Sequence, residues 1–583
     1  MTKRVAIYGG GVAGLSVAHE LVERGGFDVH VYEKDTAVGG KARSQFLPGT
    51  GAAGRKDLPG EHGFRFYPSF YIHLIDTMSR IPFPADPSFA HVAKNLVASR
   101  EGGIASSRDG RKLIEFPRRL PTAPWELFST ILEMVEALAA GPDLDDEDVP
   151  RFAWHMVKYL TSCRERREGQ WEKLSWWEFV DGDRYSDTFK SLVRAIPRTM
   201  VAMDPKKGSA RTIGNISMQF ILEYTRADGD NDRTMNGPTD ERWLEPWKAH
   251  LESKGATFHL GKGVAALRFD GTRITEGELA DGTLVTADHH VLAVPLEVAH
   301  PLITPAIAAA DPQLAAFRSL AVASNTAWMV GAQYFLKTDV PICEGHCFYP
   351  ESAWALTSIS QAQFWRRAGR AFEDRYGDGT VKGVLSVDVS DWETPSPFLG
   401  KAGQACSSRD EVLDEIWKQL KDGLNDKETV IRDDMVVARH LDANLDFTSG
   451  LPRNPTPLLV HPPGSWAKRP DASTRIPNLV LAGDYVRSTT DLATMEGANE
   501  TARLAVNAIL AAEGRSAEAC QLWALDERES DLLAPFKWLD RQLYARGQDH
   551  VMDIVAPRRI SATAIRAVTS LLRFLSMGFS VVT

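Results

Sequence analysis

A glycine-rich turn near the start of this 583-residue chain constrains its fold more than any other feature. The glycines that follow the apolar stretch 5–8 have the spacing G-x-G-x-x-G and are Gly9, Gly11 and Gly14. A helical pattern begins at once, and a second strand pattern over residues 29–32 ends on Glu33. This order of strand, turn, helix and strand predicts a dinucleotide-binding βαβ unit, and it is much more specific than a lone glycine motif.

Each residue of the motif has a physical role in such a unit. Gly9 allows the tight turn, Gly11 lets the backbone approach a pyrophosphate, and Gly14 lets the helix pack closely on the strand. The N-terminus of the helix offers free N–H groups and a partial positive charge to the phosphates. Glu33 can accept hydrogen bonds from a ribose diol, and its negative charge disfavours the 2′-phosphate of NADP.

Two further segments indicate which dinucleotide is bound. Residues 34–44 read KDTAVGGKARS, and residues 478–508 read NLVLAGDYVRSTTDLATMEGANETARLAVNA. Both resemble the FAD-containing amine oxidase and phytoene desaturase superfamily. In that superfamily the first segment runs past the FAD phosphates and ribityl chain, and the second closes the FAD domain. The resemblance implies that FAD is the cofactor, held without a covalent bond.

The same resemblance assigns contacts to the flavin. Asp484 would bond a ribityl hydroxyl, and the backbone of Met495 would meet the pyrimidine edge at the start of a helix that favours a reduced, anionic flavin. Val264 would touch the adenine side, and residues 293–295 would return towards the cofactor. The expected cofactor-binding residues are Gly9, Gly11, Val12, Ala13, Gly14, Glu33, Lys34, Gly40, Lys41, Ala42, Arg43, Gly63, Phe64, Arg65, Val264, Gly483, Asp484, Met495, Glu496 and Ala498.

Within the superfamily, two segments resemble one branch. Residues 61–71, EHGFRFYPSFY, are similar to a segment of the plant and cyanobacterial type of phytoene and ζ-carotene desaturases and of the hydroxysqualene oxidoreductases, with Arg65 where those enzymes carry His. Residues 236–243, NGPTDERW, resemble their Gly-x-Pro-Pro-Glu-Arg segment, from which Thr239 and Asp240 depart. The remaining insertions carry no motif of the branch.

Flavin chemistry sets the expected activity. The flavin takes a hydride at N5 from a carbon whose cation can be stabilised, and loss of a proton then completes a double bond. The leading interpretation is therefore an FAD-dependent oxidoreductase that desaturates an apolar, isoprenoid or polyene substrate, with a quinone or O2 as electron acceptor. Two alternatives stay open: an amine or amino-acid-derived oxidase that uses O2, and a non-enzymatic escort-type protein of the same fold. The complete flavin motifs favour an enzyme.

Three side chains are candidates for catalysis. By the resemblance, Arg65 and His62 lie in a segment that passes the isoalloxazine, although Arg65 stacked on Phe66 or Tyr67 would explain that cation equally well. The third candidate is Arg242.

For Arg242, an ion pair with Glu241 or Glu245 at a helix end is favoured over a role facing the flavin or substrate. Amine oxidases of this superfamily often place a lysine near N5. Lys337 is the nearest equivalent, and an exposed strand end is its better explanation.

Composition excludes several classes of protein. A hydrophobic content of 43% with 25% charged residues is typical of a globular chain, and a formal charge of −10 argues against a general nucleic-acid binder. Five cysteines are too few for a disulfide scaffold and suit a reducing, cytoplasmic location. Cys343 and Cys347 are expected in a loop as free thiols, and the pair His289–His290 on an exposed strand edge, so no metal site is predicted.

The motifs are far apart, so the fold class that we predict is α/β, with a discontinuous Rossmann-like FAD-binding domain of the glutathione-reductase-like type and inserted material. The expected parts are an FAD-binding domain of residues 1–89, 235–295 and 471–512, an α+β substrate domain of 90–234 and 296–470, and a helical C-terminal appendix of 513–583. The segment 90–234 is expected to be mostly helical. A four-strand β-meander is expected over 264–294, with turns at the Asp-Gly pairs 270–271 and 281–282.

The last segment, residues 557–583, has an apolar stripe and several arginines. Such a basic amphipathic helix can lie on the inner face of a membrane, but packing against the protein itself or a second subunit is favoured, because apolar stripes in soluble proteins usually have that role. No run of apolar residues long enough to span a membrane and no signal peptide are expected.

Overall fold

A parallel five-stranded sheet forms around the N-terminal segment of the chain in this computed structural model. Its strands, numbered along the chain and given in spatial order, are β21 (Leu479–Leu481), β13 (His289–Leu292), β1 (Lys3–Tyr8), β2 (Phe27–Glu33) and β9 (Thr257–Leu260). All four strand pairs are parallel, with Val5 opposite Val29 and opposite His289. The predicted βαβ opening is therefore confirmed, and later segments extend its sheet on both sides.

A second sheet contains seven strands. Its strands in spatial order are β19 (Val436–Leu441), β15 (Val330–Leu336), β18 (Gly383–Val389), β17 (Leu356–Ser360), β16 (His346–Phe348), β6 (Gly102–Ser106) and β7 (Gly110–Ile114). Neighbours are antiparallel except β16 and β6. The apolar stretches within residues 328–336 and 383–390 form the neighbouring inner strands β15 and β18.

Smaller sheets complete the β-structure. They contain β3 (Ser44–Leu47) with β4 (Leu58–Glu61), β5 (Leu96–Ala98) with β8 (Arg233–Met235), β14 (Thr326–Ala327) with β20 (Leu458–Leu459), and the three strands β10 (Val264–Phe269), β11 (Ile274–Leu279) and β12 (Leu284–Val285).

Helices surround both sheets. They are α1 (Val12–Arg24), α2 (His73–Ser79), α3 (Asp148–Thr161), α4 (Arg164–Gly169), α5 (Trp176–Phe179), α6 (Asp187–Val201), α7 (Ala210–Tyr224), α8 (Glu245–Ser253), α9 (Leu296–Leu302), α10 (Pro305–Ala309), α11 (Pro312–Arg318), α12 (Ala362–Arg367), α13 (Arg409–Leu424), α14 (Met495–Ala512), α15 (Ala534–Ala545) and α16 (Val551–Ile554). A π-helical turn, Asp240–Leu244, precedes α8. Leu244, Trp247 and Leu251 are buried on one face, as their spacing predicts.

The structure describes residues 2–85, 89–106, 110–114, 130–136, 145–224, 232–525, 529 and 533–555. The tail 557–583, for which membrane contact or packing was considered, lies outside these residues.

Within the described part, the helical appendix docks on the body through buried ion pairs: Arg166 with Asp540 at 2.8 Å and Arg167 with Glu529 at 2.6 Å. Over the same described part, no helix is both long enough and apolar enough to cross a membrane.

The structure corrects two expectations. The fourth strand of the predicted meander, β13, leaves the three-stranded sheet and joins the parallel sheet between β1 and β21. Its residues His289 and His290 are therefore buried in a central strand, not exposed on an edge, and His290 Nδ1 lies 2.9 Å from the Tyr8 hydroxyl. The described part of the segment 90–234 is mostly helical, as expected, and it also contributes β6 and β7 to the large sheet.

The cysteine expectation is half right. None of the five cysteines forms a disulfide, all five lie within the described residues, and all are buried. Cys343 precedes β16 in a loop, as expected, but Cys347 lies on the strand itself.

A buried carboxylate joins α14 to α2. Glu496 is 1% exposed, and its oxygens accept hydrogen bonds from the backbone N–H groups of Ile72, His73 and Leu74 at 2.9 Å each. The Nδ1 atom of His73 lies 2.7 Å from the same carboxylate. Since the first N–H groups of a helix have no partner within it, Glu496 supplies the cap that the N-terminus of α2 needs.

We predict that Glu496→Ala destabilises the fold by about 2–3 kcal/mol, because three buried N–H groups lose their acceptor. Urea denaturation of the FAD-loaded protein, followed by circular dichroism, measures this. The matched control is Glu252→Ala, which removes an exposed ion pair with Lys248 and should cost at most about 1 kcal/mol. Equal denaturation midpoints for the two variants would refute the capping role.

Candidate functional site

A cavity of about 440 Å³ opens where the strands of the parallel sheet end. Gly9, Ala293 and Gly483 follow the carboxyl ends of β1, β13 and β21, Glu33 is the last residue of β2, and all four line the cavity. Ligands of open parallel sheets bind at this edge. On its other side the cavity is bounded by Met329 and by strands β18 and β20.

The phosphate-binding end has the geometry that the glycine motif predicts. Gly9 has a φ of +106°, and a Cβ on Gly14 would stand 1.9 Å from the Gly9 carbonyl oxygen, so neither position accepts a side chain. A Cβ on Gly11 would meet only Gly40 Cα, at 4.0 Å, and would point into the cavity space. No side chain caps the N-terminus of α1 at Gly11. This leaves backbone N–H groups for an anionic ligand.

Glu33 holds the turn as well as facing the cavity. Its Oε2 accepts from the Gly10 N–H at 2.6 Å, and its Oε1 accepts from the Asp35 N–H at 2.9 Å. Each carboxylate oxygen can accept a further hydrogen bond, so ribose hydroxyls can still be bound.

Charged side chains after β2 are tied to neighbouring segments. Lys41 lies 3.1 Å from Glu297 and donates to the Pro457 carbonyl at 2.5 Å. Arg43 lies 3.1 Å from Asp35. Burial raises the pKa of Glu297, and Lys41 opposes that shift. These contacts position the loop after β2 against the start of α9.

Arg65 is held by two backbone carbonyls, and its role towards the flavin stays a prediction. Its guanidinium donates to the backbone carbonyls of Gly63 and Lys41, both at 2.5 Å. It therefore lines the cavity while it clamps the segment 62–66 to the loop after β2.

Asp484 supports FAD as the ligand. Its Oδ1 atom is buried, lines the cavity region and has no hydrogen-bond partner within the described protein. Buried carboxylate oxygens without a donor are rare and costly, so this atom fits a ligand hydroxyl. Next to it Met495 begins α14, whose N-terminus is capped by Thr494, and both residues line the cavity.

His62 lines the cavity as part of a buried pair. Its Nδ1 lies 2.6 Å from Oδ2 of Asp442, whose Oδ1 accepts from Gln45 Nε2 at 2.7 Å. Burial raises the pKa of Asp442, but the contacts with His62 and with the Asn444 N–H outweigh it and leave the pKa below its usual value.

Asp388 is a site residue that the sequence reasoning missed. It lies on β18, lines the cavity and is 5% exposed. Burial raises its pKa to about 7, against the lowering influence of Arg65. The signal available in the sequence was one acid inside the apolar strand pattern GVLSVDVS.

Most of the expected residues meet at the cavity. All of the expected cofactor-binding residues line it except Gly14 and Glu496. Gly14 acts through packing, and Glu496 is corrected: its side chain points from α14 towards α2, away from the cavity.

Arg242 and Lys337 are not among the cavity-lining residues. Arg242 is buried with its guanidinium 5.7 Å from the Phe83 ring centre, and burial lowers its pKa to about 10. Glu241 instead pairs with Lys56 at 3.0 Å. Lys337 is exposed at the end of β15 and donates to the Asp434 carbonyl, which confirms the surface interpretation.

Comparisons with known proteins agree with this geometry. The family model of flavin containing amine oxidoreductases matches residues 12–510. The chain therefore belongs to that family, and it is an FAD-dependent oxidoreductase. A structure of putrescine oxidase bound to putrescine superimposes with a TM-score of 0.56 at 14% identity, covering 88% of this chain and 99% of that one, which shows a shared fold.

Curated relatives give a second comparison. The zeta-carotene desaturase of Synechocystis sp. is 24% identical over 550 residues, which is 88% of this chain and 98% of that protein. The hydroxysqualene dehydroxylase of Sinorhizobium fredii is 26% identical over 314 residues, 52% of this chain and 64% of that protein. The match with the latter thus spans less than two thirds of its length.

We predict that Gly11→Val removes most of the FAD, because the new side chain would occupy the space a pyrophosphate needs without meeting other protein atoms. The ratio of flavin to protein absorbance in the purified variant measures this. Ala511→Val adds the same two methyl groups on an exposed position of α14 and should keep full flavin. Full flavin in Gly11→Val would refute the assignment of the phosphate end.

Asp484→Ala should weaken FAD binding by about 10–100-fold, because a hydrogen bond to a charged acceptor contributes about 1.5–3 kcal/mol. Flavin released on dilution, followed by fluorescence, measures the affinity. The control Asp146→Ala changes an exposed acid and should leave binding unchanged. If both variants retain flavin equally, Asp484 does not contact the cofactor.

Proposed function

We propose that this enzyme dehydrogenates an apolar substrate, an isoprenoid or polyene, and so introduces a carbon–carbon double bond. The observation that carries the proposal is the composition of the cavity wall opposite the dinucleotide-binding turn. That wall is formed by aromatic and aliphatic side chains: Phe66, Phe70, Tyr71, Met200, Val201, Ile216, Phe220, Met329, Leu458, Leu459 and Leu492.

The apolar wall comes from two helices and the segment after β4. Ile216 and Phe220 project from α7, and Met200 and Val201 end α6. The Phe220 ring lies 5.6 Å from the Phe70 ring and 6.4 Å from the Phe66 ring, measured between ring centres. An apolar chain gains about 25 cal/mol per Å² on entering such a surface from water.

The cavity has several charged side chains in its dinucleotide-binding half, while Arg65 and Asp388 lie by the segment 62–66. Among the described residues that line the cavity, the lysines are Lys34 and Lys41, both in the loop after β2. Arg43 and Glu33 belong to the same half. An uncharged substrate portion can therefore occupy the apolar half without desolvating these groups, which supports a hydrocarbon over an amine.

The named relatives support the same class of substrate. A zeta-carotene desaturase, a 15-cis-phytoene desaturase and a hydroxysqualene dehydroxylase carry apolar terpenoid compounds in their names. When bound, FAD supplies a two-electron acceptor for a hydride. The chain supplies the rest: the glycine turn and Asp484 hold the cofactor, and the apolar wall orients the substrate and excludes water.

We also propose a domain organisation for the chain. Residues 1–89, 235–295 and 471–512 would form the FAD-binding domain, residues 90–234 and 296–470 the substrate domain, and 513–583 an appendix. Supporting this division, the parallel sheet draws its strands from the first set and the seven-stranded sheet draws its strands from the second.

The test is anaerobic reduction of the bound flavin, followed at its visible absorption band. 15-cis-Phytoene and ζ-carotene in detergent micelles should bleach the band, and putrescine and cyclohexylamine should not. Bleaching by the amines alone would instead establish an amine oxidase. Mixing the reduced enzyme with O2 or with a short-chain quinone then identifies the electron acceptor, and faster reoxidation by the quinone is expected for a desaturase.

A substitution in the apolar wall of the cavity tests whether the substrate binds there. Ile216→Asn places an amide in the apolar half and should raise the polyene concentration needed for half-maximal reduction by roughly tenfold, because the amide is desolvated without a partner. Val437→Asn, on the exposed surface of β19, is the control. Equal responses of the two variants would argue against substrate binding at this wall.

A further inference from the structure

We infer that Asp388 is the proton acceptor of the dehydrogenation, taking the proton from the substrate carbon beside the one that loses a hydride. The inference rests on the proposed function, and it assigns a catalytic role to a residue outside every flavin motif. Three observations carry it: where the carboxyl lies, what its oxygens contact, and which charges face it.

Position is the first observation. Asp388 lies on β18, paired with Gly331 on β15 and Thr357 on β17, in the middle of the large sheet. From there it reaches the cavity wall beside Gly63 and Phe64, which also line the cavity. The carboxyl therefore sits where the sheet meets the segment that passes the flavin site, between the charged and apolar halves.

Two glycines make this position accessible. A Cβ on Gly331 would stand 2.5 Å from Gly63 Cα, so the segment 62–66 can lie directly against the sheet only because both residues lack side chains. A Cβ on Gly63 would stand 2.7 Å from Oδ1 of Asp388. The carboxyl oxygen consequently borders a backbone position rather than a side chain.

The free lone pairs of Oδ1 are the second observation. Oδ1 of Asp388 is buried and has no hydrogen-bond partner within the described protein, although the residue is 5% exposed. A buried acceptor without a donor is unusual in a folded protein, and it indicates a function or a ligand. A residue that lines a cavity and keeps a carboxylate oxygen without a hydrogen bond can accept a proton from a bound molecule.

The surrounding charges are the third observation. Arg65, the Phe64 N–H and His346 favour the carboxylate, and Asp442 opposes it; burial dominates and raises the pKa of Asp388 to about 7. His346 lies 2.6 Å from Asp232 and is therefore not free to pair with Asp388 alone. A base with a pKa near the working pH combines a populated carboxylate with a sufficient driving force for proton transfer.

The other acids that line the cavity are either paired or lie at its dinucleotide-binding end. Asp35 contacts Arg43, and Glu297 contacts Lys41. Glu33 accepts two backbone hydrogen bonds, and Asp484 lies by the dinucleotide-binding turn. Among the described residues, this leaves Asp388 as the cavity acid on the substrate side that has neither a cation nor a histidine within ion-pair distance.

The step balances as follows. One substrate C–H bond breaks with its electron pair, as the hydride that FAD accepts, and the substrate is oxidised by two electrons. The C–H bond on the neighbouring carbon gives its proton to Oδ1 of Asp388, and its electron pair becomes the second bond of the new double bond. The carboxylate becomes a neutral carboxylic acid and returns its proton to water before the next turnover.

The first test needs no substrate. Infrared spectra of the FAD-loaded protein between about pH 5 and 9 should show a protonated-carboxyl band that disappears around pH 7. Because burial also raises the pKa of Asp240 to about 7, the difference between wild type and Asp388→Asn isolates the band of Asp388. Asp146→Asn, at an exposed position, should leave the spectrum unchanged. A difference spectrum without a titrating band overturns the inference.

The second test uses ζ-carotene or 15-cis-phytoene as the probe for anaerobic flavin reduction. In wild type the rate should rise with pH through about 7, because only the carboxylate accepts a proton. Asp388→Asn should keep its flavin, slow the reaction by at least about 100-fold and lose this pH dependence. Asp388→Glu should recover part of the rate together with a pH dependence whose midpoint is shifted from that of wild type.

The outcomes separate this inference from the proposed function. A rate for Asp388→Asn within about threefold of wild type, with the same pH profile, overturns the role of Asp388. If Asp388→Asn loses flavin, the pH profile of Asp388→Glu decides: an unshifted profile overturns the role. If wild type is reduced by neither polyene, the proposed function falls, and the infrared titration still decides whether Asp388 is the titrating acid of the cavity.

Discussion

The close contact between α1 and the end of β1 is the constraint on which the rest of this structure depends. With a hydrogen in place of a side chain at Gly14, the helix can stand directly on the Gly9 carbonyl, which a Cβ would approach to 1.9 Å. This contact brings the N-terminus of α1 to the carboxyl edge of the parallel sheet. The ends of β2, β13 and β21 lie along the same edge, so the residues that follow four strands converge on one cavity.

A second close contact joins the two sheets at that cavity. Gly63 and Gly331 meet backbone to backbone, and Arg65 clamps the same segment to the loop after β2 through two carbonyls. The result is a cavity with two chemical halves. Backbone N–H groups, carboxylates and cations line one half, and the side chains of α6, α7 and the aromatic segment line the other. A flavin held by the first half would supply a hydride acceptor beside a surface that excludes water.

The acids of the site show how position decides the role of identical groups. Glu496 is surrounded by N–H donors and caps a helix, so it is structural. Asp442 is stabilised as an anion by His62, and Glu297 is paired with Lys41. Asp388 and Asp484 each keep a buried oxygen without a donor in the described protein. The oxygens of Asp388 and Asp484 that lack a hydrogen-bond partner indicate where a ligand or substrate can bind, and the negative charge of an acid alone does not.

The sequence by itself determined the βαβ opening and the cofactor, and it named most of the residues that line the cavity, because glycine spacing and strand ends specify backbone positions that a dinucleotide must approach. It could not determine side-chain directions that depend on how a helix is rotated, so Glu496 was placed at the flavin although it faces α2. It could not determine strand order either, and His289–His290 was expected on an edge although β13 is central. Only the tertiary structure brought Asp388 beside Gly63, residues more than 300 positions apart in the chain, because burial and partners are properties of the assembled sheets and not of any local pattern.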